Sequence, residues 1–180
     1  LTLRSEGSGG SVILGSNIDL SNTSSTNLSI EGAATIAGDV TLTTNAGNIS
    51  FASTVNADDA SSNNRDLILS LSSGTGTATF GSTVGATQAL ADLDVTFTNI
   101  SFAGNVTVDD QGSNTATMTG AVVLAGNVTF DSDGAADNSL SFSSTIDSAD
   151  ATDRNLDFTT DGGSITISGD IGATNDLATL

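Results

Sequence analysis

The chain has 180 residues and carries 3 Lys+Arg against 21 Asp+Glu, a formal net charge of −18, with no Pro, Cys, His, Trp or Tyr. Without His or Cys, a zinc site of the usual ligands, a Ser-His-Asp triad, a thiol nucleophile and a disulfide frame are impossible. The acidic balance and the absence of Lys also exclude nucleic acid as a partner, since phosphate binding depends on Lys and Arg.

Ser and Thr contribute 53 residues, yet 37 % of the chain is hydrophobic, and its Val, Ile, Leu and Phe are regularly placed, unlike those of a disordered segment. No apolar run approaches the length of a membrane span, and no basic region with an apolar stretch marks a signal peptide. The chain opens on Leu1, inside a strand-like pattern. It therefore reads as a fragment of a longer repetitive chain.

A five-residue pattern recurs along the chain: a large apolar residue, two small ones, a polar one, then Val or Ile. In order it is Leu14-Gly15-Ser16-Asn17-Ile18, Ile36-Ala37-Gly38-Asp39-Val40, Phe51-Ala52-Ser53-Thr54-Val55 and Phe80-Gly81-Ser82-Thr83-Val84. Then follow Phe102-Ala103-Gly104-Asn105-Val106, Leu124-Ala125-Gly126-Asn127-Val128, Phe142-Ser143-Ser144-Thr145-Ile146 and Ile167-Ser168-Gly169-Asp170-Ile171. The spacing between the eight copies is uneven, with a mean of about 22. Around them apolar residues alternate with Thr and Ser, as in Val12/Leu14, Val40/Leu42, Leu67/Leu69/Leu71, Val95/Phe97, Val128/Phe130, Leu140/Phe142 and Ile165/Ile167. Period two puts these side chains on one face of a strand, and Gly, Asn, Asp and Ser between the strands supply turns. The stretch 86–93 fits a short helix or a strand and turn equally well.

A longer repeat sits above the short one. Leu1 to Ile18 aligns without a gap on Leu67 to Val84, and Arg65-Asp66-Leu67-Ile68-Leu69 matches Arg154-Asn155-Leu156-Asp157-Phe158. Supermodules of about 1–66, 67–154 and a partial 155–180 follow, in one continuous segment spanning 1–180. Short strands at a fixed period predict an all-β fold, a parallel β-solenoid (β-helix) of about eight coils with roughly 22 residues per coil. Equivalent residues then lie about 4.8 Å apart along the axis, so Phe80 should stack on Phe102 and Leu14 on Ile36. Two tandem immunoglobulin-like sandwiches would fit the length, but have no place for so short a period.

The units Leu124–Phe130, Asn138–Ile146 and Arg154–Phe158 resemble the repeats of large bacterial surface proteins, the filamentous-haemagglutinin-like adhesins and autotransporter passengers. The likeness covers the whole chain and is one of repeat grammar rather than a diagnostic motif. It implies an extracellular or cell-surface solenoid, non-enzymatic, forming a rod, stalk, sheath or filament that associates with neighbouring copies of itself. The alternative it implies is an adhesin region that binds a surface ligand on a host or neighbouring cell. It carries over no catalytic residues.

The candidate sites are acidic. Asp131-Ser132-Asp133-Gly134 has the alternating carboxylates and Gly turn of a calcium loop, without the Glu an EF-hand needs. Asp58-Asp59 and Asp109-Asp110 are shorter versions. Like charges one coil apart repel by about 0.9 kcal/mol even in water, which calcium would relieve, whereas Asp in turns also caps its own backbone. No catalytic, cofactor or metal residue is assigned from these patterns. The loops Asn56 to Arg65 and Asp147 to Arg154 each end in Arg, expected to pair locally with Asp, and are where neighbouring rods or a ligand would attach. The pairs Thr41/Thr43, Thr77/Thr79 and Thr115/Thr117 resemble those of ice-binding solenoids, but they are not at one equivalent place in successive coils and form no array. Six Asn-x-Ser/Thr sequons, at Asn22, Asn27, Asn48, Asn99, Asn105 and Asn127, need no explanation beyond composition. With two Glu, no Lys and no aromatic platform, the pattern of a carbohydrate-active enzyme is missing.

Overall fold

In the computed structural model, residues 1–6, 9–58, 65–109, 114–134 and 138–179 are described; they contain strands, turns and bends and no helix. Strand pairing among them is parallel throughout. The chain winds as a β-solenoid, visiting three ladders in the same order on every turn. The first ladder runs through Thr2–Arg4, Leu28–Glu31, Ile49–Phe51, Thr77–Phe80, the ends of Asp92–Phe102 and Thr115–Leu124, and Ile146–Ser148. The second takes Ser11–Leu14, Ala33–Ile36 and Val55–Ala57, crosses Val84, and continues through Val106–Thr107, Val128–Asp131, Arg154–Thr159 and Leu177–Thr179. The third holds Ile18–Ser24, Val40–Asn45, Asp66–Leu71, the beginnings of Asp92–Phe102 and Thr115–Leu124, Ser139–Phe142 and Ile165–Ile167.

Alternation decides which side chains enter the core. In Thr77–Phe80 the small Ala78 and the ring of Phe80 are fully buried while both Thr residues point outward. The same pattern repeats in Leu28–Glu31, Val40–Asn45 and Ser139–Phe142. One turn cannot cover its own apolar face, so burial comes from the turns above and below. The expected stacks are present. Phe80 and Phe102 lie 5.0 Å apart with a 3° angle between their rings, and Leu14 pairs in register with Ile36. Phe51 extends the column below Phe80 at 5.5 Å. Leu124 then takes the next place on the first ladder, and the aromatic column crosses the core. Phe130, on the second ladder, meets Phe102 edge-on at 5.2 Å, and Phe142 and Phe158 continue from there.

The number of turns differs from the expectation of eight. The first ladder passes in register from Leu3 to Ile30, Phe51, Phe80, Phe102, Leu124 and Ser148, in unequal steps along the sequence. Successive turns are roughly 24 residues apart, and the chain makes about 7 turns. The eight motif copies overcount because they occupy different ladders. Leu14 and Ile36 lie on the second, Phe51, Phe80, Phe102 and Leu124 on the first, and Phe142 and Ile167 on the third. The short steps from Ile36 to Phe51 and from Leu124 to Phe142 are therefore changes of ladder. The motif is the chemistry of a corner, and all three corners use it. The gapless alignment of Leu1 to Ile18 on Leu67 to Val84 likewise matches Leu14 of the second ladder to Phe80 of the first, a likeness between non-equivalent places. The stretch 86–93 is bends, a bridge from Leu90 to Val108, and the first two residues of the strand Asp92–Phe102, the strand-and-turn alternative rather than a helix.

Small residues at the corners have a steric cause. A Cβ on Gly126 would stand 2.5 Å from the carbonyl oxygen of Ala103 on the preceding turn. Gly120 has φ +139° and forms the corner where Thr115–Leu124 passes from the third ladder to the first. There one residue opposes two, Phe97 and Thr98, and a Cβ would collide with the Phe97 carbonyl. Gly120→Ala should therefore lower unfolding free energy by more than about 2 kcal/mol, combining backbone strain with overpacking. Phe80→Ala should cost about 3–5 kcal/mol. Thr79→Ala, its outward neighbour, should stay within about 0.5 kcal/mol. Urea denaturation of the three variants checks the order.

Candidate functional site

Each Arg is held by an acid close to it in space. Arg65 Nε donates to Asp58 Oδ1 at 2.7 Å and its Nη2 to Oδ2 at 3.3 Å. Arg154 Nη2 reaches Asp150 at 3.5 Å, and Arg4 grips Glu31 on the next turn through Nε at 2.8 Å and Nη2 at 2.5 Å. The local pairing expected for both loop arginines is thus present. The loop 56–65 joins the second ladder to the third, and the loop 147–154 joins the first to the second several turns later. Their described ends lie at different corners. Residues 59–64, which include Asp59, and Asp110 lie outside the described residues.

Where carboxylates are described, the backbone of their own turn engages several of them. Asp131 Oδ1 accepts from Asp133 N at 3.0 Å, and Ser132, fully buried, donates its hydroxyl to the Asn138 carbonyl at 3.1 Å. Asp19 accepts from Ser21 N, and Asp150 from Thr152 N, both at 2.8 Å. Hydrogen bonds from the Ser21 side chain and backbone hold the Asp19 carboxyl below its ordinary range. The Thr152 backbone and hydroxyl, with a smaller contribution from Arg154, do the same for Asp150. Among the described residues, no three carboxylates converge as metal ligands would.

A different set of polar side chains binds one turn to the next. Asn17 Oδ1 accepts from Thr41 N at 2.7 Å, Asn27 from Asn48 N at 2.8 Å, and Asn48 from Thr77 N at 2.8 Å. Asn105 accepts from Thr129 N and Asn127 from Asn155 N, each at 3.0 Å. Asn56, Asp94 and Asp147 reach Thr87, Thr117 and Thr174 in the same way, and Asp39 reaches Asp66 N at 3.4 Å. Each is a hook from a side-chain acceptor on one turn to a backbone N–H of another, most of them where a strand meets a corner, whereas Asp94 and Thr117 are paired within strands. All nine reach toward the C-terminal neighbour; Asn138, accepting from Asn114 N at 3.2 Å, reaches the other way. These residues read from sequence only as turn formers. The usable signal was the polar fourth place of the motif, which Asn17, Asp39, Asn105 and Asn127 occupy.

The outer side of the third ladder locates the Thr pairs. One column there runs Thr41, Ile68, Asp94, Thr117, Ser141, Thr166, and the column beside it Asp19, Thr43, Ser70, Thr96, Thr119. Thr115/Thr117 is thus two residues out of step with Thr41/Thr43, and Thr77/Thr79 belongs to the first ladder, so the three pairs share no equivalent place, as expected. Thr117 and Thr119 are level with Thr41 and Thr43, but Ile68 and Asp94 interrupt the first of these columns between them.

A hollow of about 440 Å³ lies at the C-terminal edge of the stack, lined by Asp153, Ile171, Gly172, Asp176, Leu177, Ala178 and Thr179. Its only charged lining groups are the two Asp. Among the described residues no helix is long and apolar enough to cross a membrane. No protein-family model matches the chain, and neither the curated proteins nor the solved structures give a match.

Asn127→Ala should cost about 1 kcal/mol or more, because the Asn155 N–H loses its partner, while Asn22→Ala, at an exposed position, should leave stability unchanged; chemical denaturation compares them. Titration of Asp150 by carbon-detected NMR should give a midpoint below that of an ordinary Asp, moving up in Thr152→Val. The sign follows from linkage: the folded state favours the carboxylate, so the contribution is full above the unfolded pKa and is lost as pH falls through the depressed folded one.

Proposed function

We propose that the chain is a non-enzymatic structural repeat region, a rod or filament segment on the surface of a bacterial cell, of the kind the resemblance to filamentous-haemagglutinin-like proteins implies. The observation that carries this reading is where the polar chemistry is spent. Asn and Asp side chains that could face a ligand instead fasten turn to turn, and the three Arg are each paired with an acid. A ladder repeated about 7 times gives a rod of roughly 34 Å, and length is what such a chain adds with each turn. The two Asp of the C-terminal hollow have no His, Cys, Lys or Tyr to assist them, which favours the non-enzymatic reading.

The adhesin alternative draws on one feature. The longest step along the first ladder, from Phe51 to Phe80, is the turn that bears the loop 56–65, so extra chain is placed on the side of the scaffold where a ligand on a host or neighbouring cell could be met.

An antibody against the purified chain should label intact cells of the source organism, and external protease should remove the label. Labelling only after lysis would refute the surface assignment. Sodium chloride should raise the melting midpoint by screening the −18 charge. Calcium at equal ionic strength should raise it no further if the acidic corners cap turns, and a larger rise would assign calcium a bound site.

A further inference from the structure

The charges of this chain are confined to one side of its middle turns. The stretches 40–57, 67–91, 95–108 and 114–130 contain no charged residue. The described carboxylates that border them, Asp39, Asp58, Asp66, Asp94, Asp109 and Asp131 included, stand where the second ladder ends, at the corner that follows it, or where the third ladder begins. Three ladders make three corners, and this one lies opposite the first ladder.

The first ladder presents the neutral side. Its outward column runs Ser29, Ser50, Thr79, Ser101, Val123 in register over five turns. Beside it Ala52, Gly81, Ala103 and Ala125 are exposed, each donating its N–H to a carbonyl one turn earlier. No side chain in these two columns is larger than Val, so the surface is flat as well as neutral. The outer columns of the third ladder differ, holding Asp94 and the bulky Ile68, which is 38 % exposed.

We infer that the outer face of the first ladder is a lateral docking surface for the same face of a second copy of this chain. The occupant follows from charge. Two copies at −18 each repel wherever their acidic sides approach, and the first ladder is the side on which they meet with those corners turned away. Sheets pack face to face about 10 Å apart. Each acidic corner then stands on the far side of its own rod, beyond the screening length of about 8 Å in physiological salt. Ser and Thr hydroxyls both donate and accept, so the face complements itself, as a two-fold contact requires. A basic partner would instead seek the opposite corner. Five turns span about 24 Å along the axis, by roughly 18 Å across the strand and its flanks. Face to face they bury on the order of 900 Å² in total, the size of a weak, reversible contact. This rests on the reading of the chain as a structural rod and states which of its sides meets a neighbour.

Thr79 occupies the middle of the five rows, so a two-fold contact brings it close to its counterpart. The chain has no Cys of its own, and one introduced thiol per chain can link two copies and no more. The purified Thr79→Cys variant, treated with a short bismaleimide, should run on a denaturing gel mainly as a dimer. Ser70→Cys, outward on the third ladder, should stay monomeric under the same treatment. Adding Ser101→Asp to the Thr79→Cys chain should cut the dimer yield about tenfold, because it sets like charges against each other inside the contact. Adding Thr96→Asp, on the third ladder, should leave the yield unchanged. Urea midpoints close to the parent's exclude unfolding as the cause of a lost dimer. No dimer from Thr79→Cys, an equal dimer from Ser70→Cys, or a yield indifferent to Ser101→Asp would each overturn the proposal. These outcomes concern purified protein only, so they stand or fall separately from the cell-surface labelling.

Discussion

Parallel pairing of each turn with the turn before it is the constraint on which everything else depends. A single turn has two or so inward side chains on each of three short strands, and alone it would leave all of them in water. Pairing in register turns these isolated residues into columns: Phe51 under Phe80 under Phe102, Val12 under Ala34 under Val55. The hydrophobic gain therefore exists only between turns, and so does most of the backbone hydrogen bonding. Stacked and edge-on Phe pairs contribute about 0.5–1.5 kcal/mol each beyond their buried area. That the aromatic column can cross from one ladder to another at Leu124 and Phe130 shows that the core requires filled volume at each level, not one fixed position for the ring.

The corners obey a second requirement, the satisfaction of backbone groups where the ladder is interrupted. Pro is absent from the whole chain, so every residue brings an N–H that needs a partner. Asn and Asp are short enough to project one turn along the axis and accept from it. Their chemistry explains why a sequence so rich in them can be well ordered. The −18 charge is accommodated in part because described carboxylates such as Asp19, Asp131 and Asp150 sit at corners or outer faces and accept from the backbone.

The architecture was legible in the sequence because alternation and recurrence both report on burial. Pairs such as Phe80/Phe102 and Leu14/Ile36, one period apart, could be placed on each other before any coordinates. The number of turns was not legible. Gly and Ser after a large apolar residue mark a strand running into a corner, and Phe51, Phe142 and Leu14 satisfy that description on three different ladders. The hooks were hidden for a related reason. Asn105 and Asp131 look alike in sequence, yet one bonds the next turn and the other its own, and only the direction of the side chain separates them.

The bias of the hooks toward the C-terminal neighbour bears on the order of events as the chain emerges. Synthesis delivers a polypeptide progressively from its N-terminus and presents each finished turn before the next arrives. Asn17, Asn27 and Asn48 are then already in place as acceptors when the N–H groups of Thr41, Asn48 and Thr77 appear. The newest turn folds on a template, needing only a short loop closure rather than a search over the whole chain. Acceptors set in advance make folding of this kind directional, each new turn being captured by the one before it.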